Sequence, residues 1–271
     1  MLPVIGFGGM VVKDATDSEA VERVTSAMDR GVNYFDVAPI YGNAQEKLGI
    51  ALKGRRDQVF LACKTNKRTK DEAAAQLEES LRLLKTDHFD LYQLHSMTTK
   101  EDVETAFGPD GAIEAFVEAK KKGQVRFIGF SAHSDEAAMD CMDRFEFATI
   151  LYPLNSALWD SGFSPRVIER ARNKGMGCLG LKVMALDGIP RYGKKKFKKA
   201  WYNPISDPQM IALAFRFALS KGLTAAIPSG DENLFAMALD SKDLTKPLSE
   251  DEAAELKKVY EGLTPLFSPR G

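Results

Sequence analysis

Apolar positions in this chain switch repeatedly between two spacings. Short, nearly continuous apolar runs alternate with longer stretches in which apolar residues recur every three or four positions. The first run, over 3–7, meets Gly8 and Gly9. Thr16 and Glu19 then stand at capping-box spacing before Val21, Val24 and Met28, and Gly31 closes that predicted helix. Further strands are predicted over 34–38, 59–64, 89–94, 125–130, 148–152, 176–183 and 224–228. Between them lie predicted helices over 45–52, through Leu77, Leu81 and Leu84, over 112–122, 135–144 and 167–174, from Asp207 onward, and over 232–239. Pro208 after Asp207 reads as a proline in the first turn behind an N-cap.

Strands this uniformly apolar read as parallel and buried on both faces. Eight strand–helix units favour a closed α/β barrel of the (β/α)8 type over an open doubly wound sheet. The chain has 271 residues, an ordinary length for one such barrel, and it shows no internal linker or short repeat, so 1–271 is expected to be a single domain. Ser249 and Glu252 form a second capping box and start an additional C-terminal helix, expected to reach Leu263. One segment, 186–206, breaks the rhythm. It carries Lys194, Lys195, Lys196, Lys198 and Lys199, then Trp201 and Tyr202, and is expected to be a long functional or mobile loop. The lysines would suit an acidic partner, or simply a solvated surface.

Charge and composition narrow the class. With 37 basic and 38 acidic residues there is no electrostatic footprint for nucleic acid. Cys63, Cys141 and Cys178 match no metal or redox spacing, and an odd, sparse set suits a reducing compartment. No charged start precedes an apolar run, and no stretch approaches the ~20 apolar residues of a membrane span. The expectation is a soluble, cytoplasmic protein with a small-molecule substrate, and with neither a membrane nor a nucleic-acid partner.

Four residues fall at or just beyond the C-terminal ends of three successive predicted strands: Asp36, Tyr41, Lys64 and His95. In a barrel of this kind that edge is where chemistry is done. A free phenol, with a pKa near ~10, is a poor acid at neutral pH. An ammonium ~4 Å away contributes at most ~4 kcal/mol at an effective dielectric of ~20, about three pKa units. Lys64 is therefore expected to bring Tyr41 towards neutrality, with Asp36 holding Lys64 charged and oriented. His95 would bind the reacting oxygen. Such a site stabilises an alkoxide and protonates it, but it has no electron source, so a cofactor is implied. Singly, each residue has an ordinary explanation as a cap, a packed ring, a rim lysine or a hydrogen-bonded loop histidine. Their coincidence on consecutive strand ends carries the assignment. His88 is expected at the barrel's bottom or surface, and His133 at a top edge with no assigned role.

The same stretches resemble the aldo-keto reductases. Gly31-Val32-Asn33-Tyr34-Phe35-Asp36-Val37-Ala38 followed by Tyr41-Gly42, Glu46 and Leu48-Gly49 carries the resemblance. So do Leu91-Tyr92-Gln93-Leu94-His95 and the run from Gly123 to Ser131. The resemblance implies a (β/α)8 barrel binding NAD(P)(H), with Asp36, Tyr41, Lys64 and His95 as the catalytic tetrad. It also implies hydride transfer to an aldehyde or ketone, or oxidation of an alcohol in reverse. Its cofactor contacts would be Ser131, Asn155, Lys182, Val183, Ser229 and Gly230. Ala132 and Leu151 stand where the family has polar carboxamide ligands, and Lys182 replaces an aromatic residue that stacks on nicotinamide. Ile227-Pro228-Ser229-Gly230 and the following helix start suit the cofactor phosphates. Asp231 and Glu232 add negative charge there, which loosens the family preference without reversing it: NADP(H) is expected ahead of NAD(H). Met10, Trp159, Trp201 and Tyr202 are candidate pocket walls, and the short tail after Leu263 implies an open pocket. The same resemblance also covers non-catalytic nucleotide-binding regulators, such as channel β subunits, and redox-neutral epimerases or lyases that retain their cofactor.

Overall fold

In the computed structural model, which describes residues 2–190 and 193–269, eight parallel strands stand side by side in chain order. They are β1 (Phe7–Gly8), β2 (Tyr34–Asp36), β3 (Phe60–Thr65), β4 (Phe89–Met97), β5 (Val125–Ala132), β6 (Thr149–Pro153), β7 (Gly177–Leu181) and, after a small separate pair, β10 (Ala225–Ala226). A parallel bridge between Ile5 and Ala226 joins the two edges. Gly6 N donates to Ala226 O and Ala226 N to Val4 O, both at 2.9 Å. The sheet therefore closes into a (β/α)8 barrel, as the eight apolar runs predict, and closure removes its edges.

Strand periodicity decides which side chains enter the barrel. Tyr34, Ala62, Leu91, Leu151, Leu179 and Ala225 form the inner cluster. Their sequence neighbours Phe35, Leu61, Cys63, Tyr92 and Ile150 belong to the outer cluster that packs beneath the helices. Two residues further along each of three strands, the same inward parity delivers Asp36, Lys64 and Gln93, and two further again His95. The register pairs Asp36 with Ala62 and Lys64 with Gln93, which sets these polar groups in adjacent layers at the C-terminal end of the barrel.

The helix caps follow the sequence closely. Thr16 with Glu19 and Ser249 with Glu252 both form capping boxes, and Asp207 caps a helix with proline in its first turn. The C-terminal helix ends at Lys258 rather than near Leu263. Three parts depart from expectation. A helix, Lys100–Phe107, occupies the predicted loop after β4, started by a Thr99–Asp102 capping box. A short helix, Ser156–Asp160, follows β6. The segment over 186–206 is not a plain loop: β8 (Ala185–Gly188) and β9 (Tyr202–Pro204) pair antiparallel across its base. Arg191 and Tyr192 lie outside the described residues. Among the described residues, no helix is long and apolar enough to cross a membrane, and no cluster of three His, Cys, Asp or Glu side chains is placed to hold a metal ion.

Candidate active site

Asp36, Lys64 and His95 are buried at the C-terminal mouth of the barrel, and Tyr41 joins them from the loop after β2. Lys64, with none of its surface exposed, donates to Asp36 Oδ1 in a buried ion pair and reaches Val37 O at 3.4 Å. Gln93 Nε2 donates to Asp36 Oδ2 at 3.1 Å, and the Tyr34 hydroxyl reaches the same oxygen at 3.4 Å. Removing one partner of such a pair leaves an uncompensated buried charge, at a cost of about 3–5 kcal/mol. The Tyr41 ring stands edge-on to His95, with centroids 5.9 Å apart, and Lys64 Nζ lies 5.5 Å from the Tyr41 centroid.

The electrostatics correct one expectation. Burial raises the Tyr41 phenol above its ordinary value, Lys64 opposes that, and Asp36 adds to the rise; the net direction is up, not towards neutrality. Burial is the largest cause, and Asp36, bonded to the Lys64 ammonium, offsets part of that cation's field at the phenol. For Lys64, burial favours the neutral amine, but Asp36 and Tyr41 outweigh it and hold the ammonium charged. His95 is pushed down to about 2, first by burial and then by the Lys64 charge, so its imidazole is neutral at ordinary pH. Its Nδ1 is buried without a partner among the described residues.

Above these groups opens a cavity of about 630 Å³, within the usual range for a small-molecule site. Its walls include Met10, Ser131, His133, Lys182, Trp201 and Tyr202. Met10, Trp201 and Tyr202 therefore lie where the sequence suggests. Trp159 does not: it packs against the core beneath the Lys221 ammonium. The tail after Leu263 does not leave the pocket open on its side. Phe267 enters the wall and stacks between His133 and Phe163, at 5.2 and 5.3 Å.

The cofactor candidates divide. Ser131 lines the cavity, with its Oγ accepting from Ser96 N at 2.7 Å. Gly230 also lines it, and Ser229 is buried beside it. Asn155 is committed elsewhere. Its Oδ1 caps the short helix at Leu158 N, and its Nδ2 donates to Lys182 O at 3.2 Å and Ala185 O at 3.1 Å. Val183 is fully buried in the same turn. Lys182 itself is in the wall, with φ 64°, a left-handed conformation that costs a non-glycine residue about 1–3 kcal/mol. Burial pushes its ammonium down to about 8. At the helix start after Gly230, Asp231 accepts from Asn233 N and Leu234 N. Glu232 is paired twice, with Lys199 at 2.9 Å and with Arg23 at 3.4 Å.

Several residues at this site had no place in the sequence-based assignment. Gln93 and Tyr34 lie two positions before His95 and Asp36, so strand parity alone turns them to the same inward face. Arg68 could be found only from the fold: it donates to His95 O and to Asp102, both at 2.8 Å, tying the end of β4 to the extra helix. His133 holds Ser96 Oγ through Nδ1 at 2.7 Å. His88 lies at the opposite end, beside Asp87.

Comparison with known proteins agrees with this architecture. The Aldo/keto reductase family model matches residues 4–200. The uncharacterized oxidoreductase YqkF of Bacillus subtilis (strain 168) is 32% identical over 142 residues, 47% of this chain and 44% of that protein. The methylglyoxal reductase DkgB of Escherichia coli O157:H7 is 32% identical over 134 residues, 48% of each. These alignments span about half the length of the curated relatives. Among solved structures, the holo form of aldo-keto reductase AKR11C1 from Bacillus halodurans superposes with a TM-score of 0.72 at 21% identity, covering 97% of this chain and 94% of that one. The glycerol dehydrogenase AKR11B4 from Gluconobacter oxydans gives 0.71 at 18%, covering 98% and 95%. With a family model matched over most of its length and the barrel shared with these structures, the chain belongs to the aldo/keto reductase family.

Proposed function

We propose that this protein is an NAD(P)(H)-dependent oxidoreductase that reduces an aldehyde or ketone, or oxidises the corresponding alcohol. Tyr41 is the proton donor in this reading. The observation that carries it is the meeting of phenol and imidazole, 5.9 Å apart, over the buried Lys64–Asp36 pair at the floor of the cavity. The lining offers acid, base and oxygen-binding groups but no electron source of its own, which is the gap a nicotinamide fills. Ser131 would hold the nicotinamide and Ser229 and Gly230 the cofactor phosphates, while Asn155 and Val183 would act indirectly by fixing the turn at Lys182. When bound, a reduced nicotinamide would supply the hydride that the carbonyl carbon needs. His95, neutral by burial, offers a ring N–H to the carbonyl oxygen. Tyr41 gives that oxygen its phenolic proton as charge develops, and Lys64 stabilises the phenolate left behind. Asp36, Gln93 and Tyr34 keep Lys64 in place.

NADP(H) stands ahead of NAD(H), because Arg23 and Lys199 neutralise the Glu232 carboxylate that would otherwise repel a 2′-phosphate. The test is a fluorescence titration with NADPH and NADH, followed by a panel of small aldehydes, ketones and aldoses. Binding with turnover supports a reductase. Tight binding with no turnover in either direction would favour a regulatory or redox-neutral role, and no binding would sink both.

A further inference from the structure

We propose that Lys182 is the centre of an anion-binding subsite and that the preferred substrate carries a carboxylate beside its reacting carbonyl or alcohol. This rests on the carbonyl-oxidoreductase reading above. The charges lining the cavity are otherwise balanced. Asp36 is bound to Lys64, and Lys199 is bound to Glu232 at 2.9 Å, with Arg23 also on Glu232. Lys182 has no carboxylate within ion-pair distance among the described residues. Its Nζ stands 4.6 Å from the ring centroids of both Trp201 and Tyr202. Those rings hold a cation by their quadrupoles but leave its charge uncancelled.

The position is built rather than incidental. A left-handed backbone is where glycine fits without strain, yet a lysine is held there. Ala185 N donates to Lys182 O at 3.0 Å and Asn155 Nδ2 donates to the same oxygen at 3.2 Å, so the turn is fixed beneath the side chain. Lys182 lines the same cavity as Tyr41, His95 and His133, so its ammonium and the reacting groups face one chamber. The other free-standing cation of the wall, Lys199, is spent on Glu232 at 2.9 Å and Val11 O at 3.0 Å. One uncompensated ammonium balances one negative charge, which selects a carboxylate over a phosphate dianion.

Calorimetric titration with benzoate and with its neutral isostere benzamide tests the subsite without turnover. The wild-type protein should bind benzoate at least tenfold more tightly. That preference should collapse towards parity in Lys182→Met and survive in Lys182→Arg. Equal affinities in the wild type would overturn the proposal whether or not the variants fold. So would a Lys182→Met protein that keeps the preference, or that loses it only together with tenfold in NADPH affinity, since the charge would then serve a cofactor phosphate. Reduction of phenylglyoxylate and of its neutral amide, phenylglyoxylamide, separates this idea from the reading beneath it. Turnover of both without a benzoate preference leaves the reductase standing and removes the subsite. A benzoate preference with no turnover of either does the reverse.

Discussion

At the level of single residues, the state of Tyr41 is the sharpest consequence of the geometry. The phenol is held above its ordinary value by burial and by Asp36, against the pull of Lys64. It therefore remains protonated across the neutral range, the form needed to protonate an alkoxide. Carbonyl reduction is expected to show no Tyr41 limb between about pH 6 and pH 9. Alcohol oxidation needs the phenolate as base, so its rate should climb through the same range without a plateau. A bell-shaped reduction profile that loses activity near neutrality would contradict this. The positions of Asp36, Lys64 and His95 were legible in the sequence, because each ends an apolar run. The partnership that sets the phenol's state was not, because it depends on how Lys64 divides its attention between two neighbours. Asn155 shows the same limit: its identity suggested a ligand, whereas its bonds make it the strap beneath Lys182.

Elements carry a second prediction. Asp135 opens the helix Asp135–Arg144 and accepts a hydrogen bond from the Tyr152 hydroxyl at 2.5 Å. Burial pushes its carboxyl up to about 6, although the Tyr152 bond pulls the other way. The fold thus prefers the neutral acid. That contribution is complete below the unfolded value near ~4 and is lost as the pH rises through about 6. Two units correspond to at most ~2.7 kcal/mol, and the favourable helix N-terminus and partial solvation reduce the net to about 1 kcal/mol. Asp135→Asn should therefore melt about 2–4 °C above wild type near pH 7.5, and the gain should vanish near pH 4. Thermal melts across that range decide it; a gain independent of pH would mean that the carboxyl's ionisation is not involved. At this scale the strands and caps were readable from periodicity and from Thr16, Asp207 and Ser249. The Lys100–Phe107 helix is also signalled, by the capping-box spacing of Thr99 and Asp102. The β8–β9 pair was not signalled, since a short antiparallel pairing over a cavity is decided by what it docks against.

For the molecule as a whole, the two ends of the barrel do different work. At the N-terminal end Arg56 donates to Thr86 Oγ1, Val59 O, His88 O and Asp90 Oδ2 at 2.9–3.1 Å. It clamps β3 to β4 far from the cavity. Arg56→Met should cost about 1.5–3 kcal/mol through its charged hydrogen bonds, and lower the melting temperature by about 2–4 °C for each kcal/mol. It should leave kcat/KM within about twofold of wild type, because residues at this end of a barrel serve stability. Parallel melting curves and steady-state kinetics check both halves, and a large loss of kcat/KM in a folded protein would break the division. The closed barrel was the most legible feature of all, because eight apolar runs leave few other ways to bury themselves.

The most direct test compares wild type with Tyr41→Phe in carbonyl reduction and in NADPH binding on the same preparations. Loss of the phenolic proton should lower kcat by roughly 10²–10⁴-fold, while NADPH affinity stays within threefold. A Tyr41→Phe protein that reduces its substrate at the wild-type rate would show that the proton comes from elsewhere.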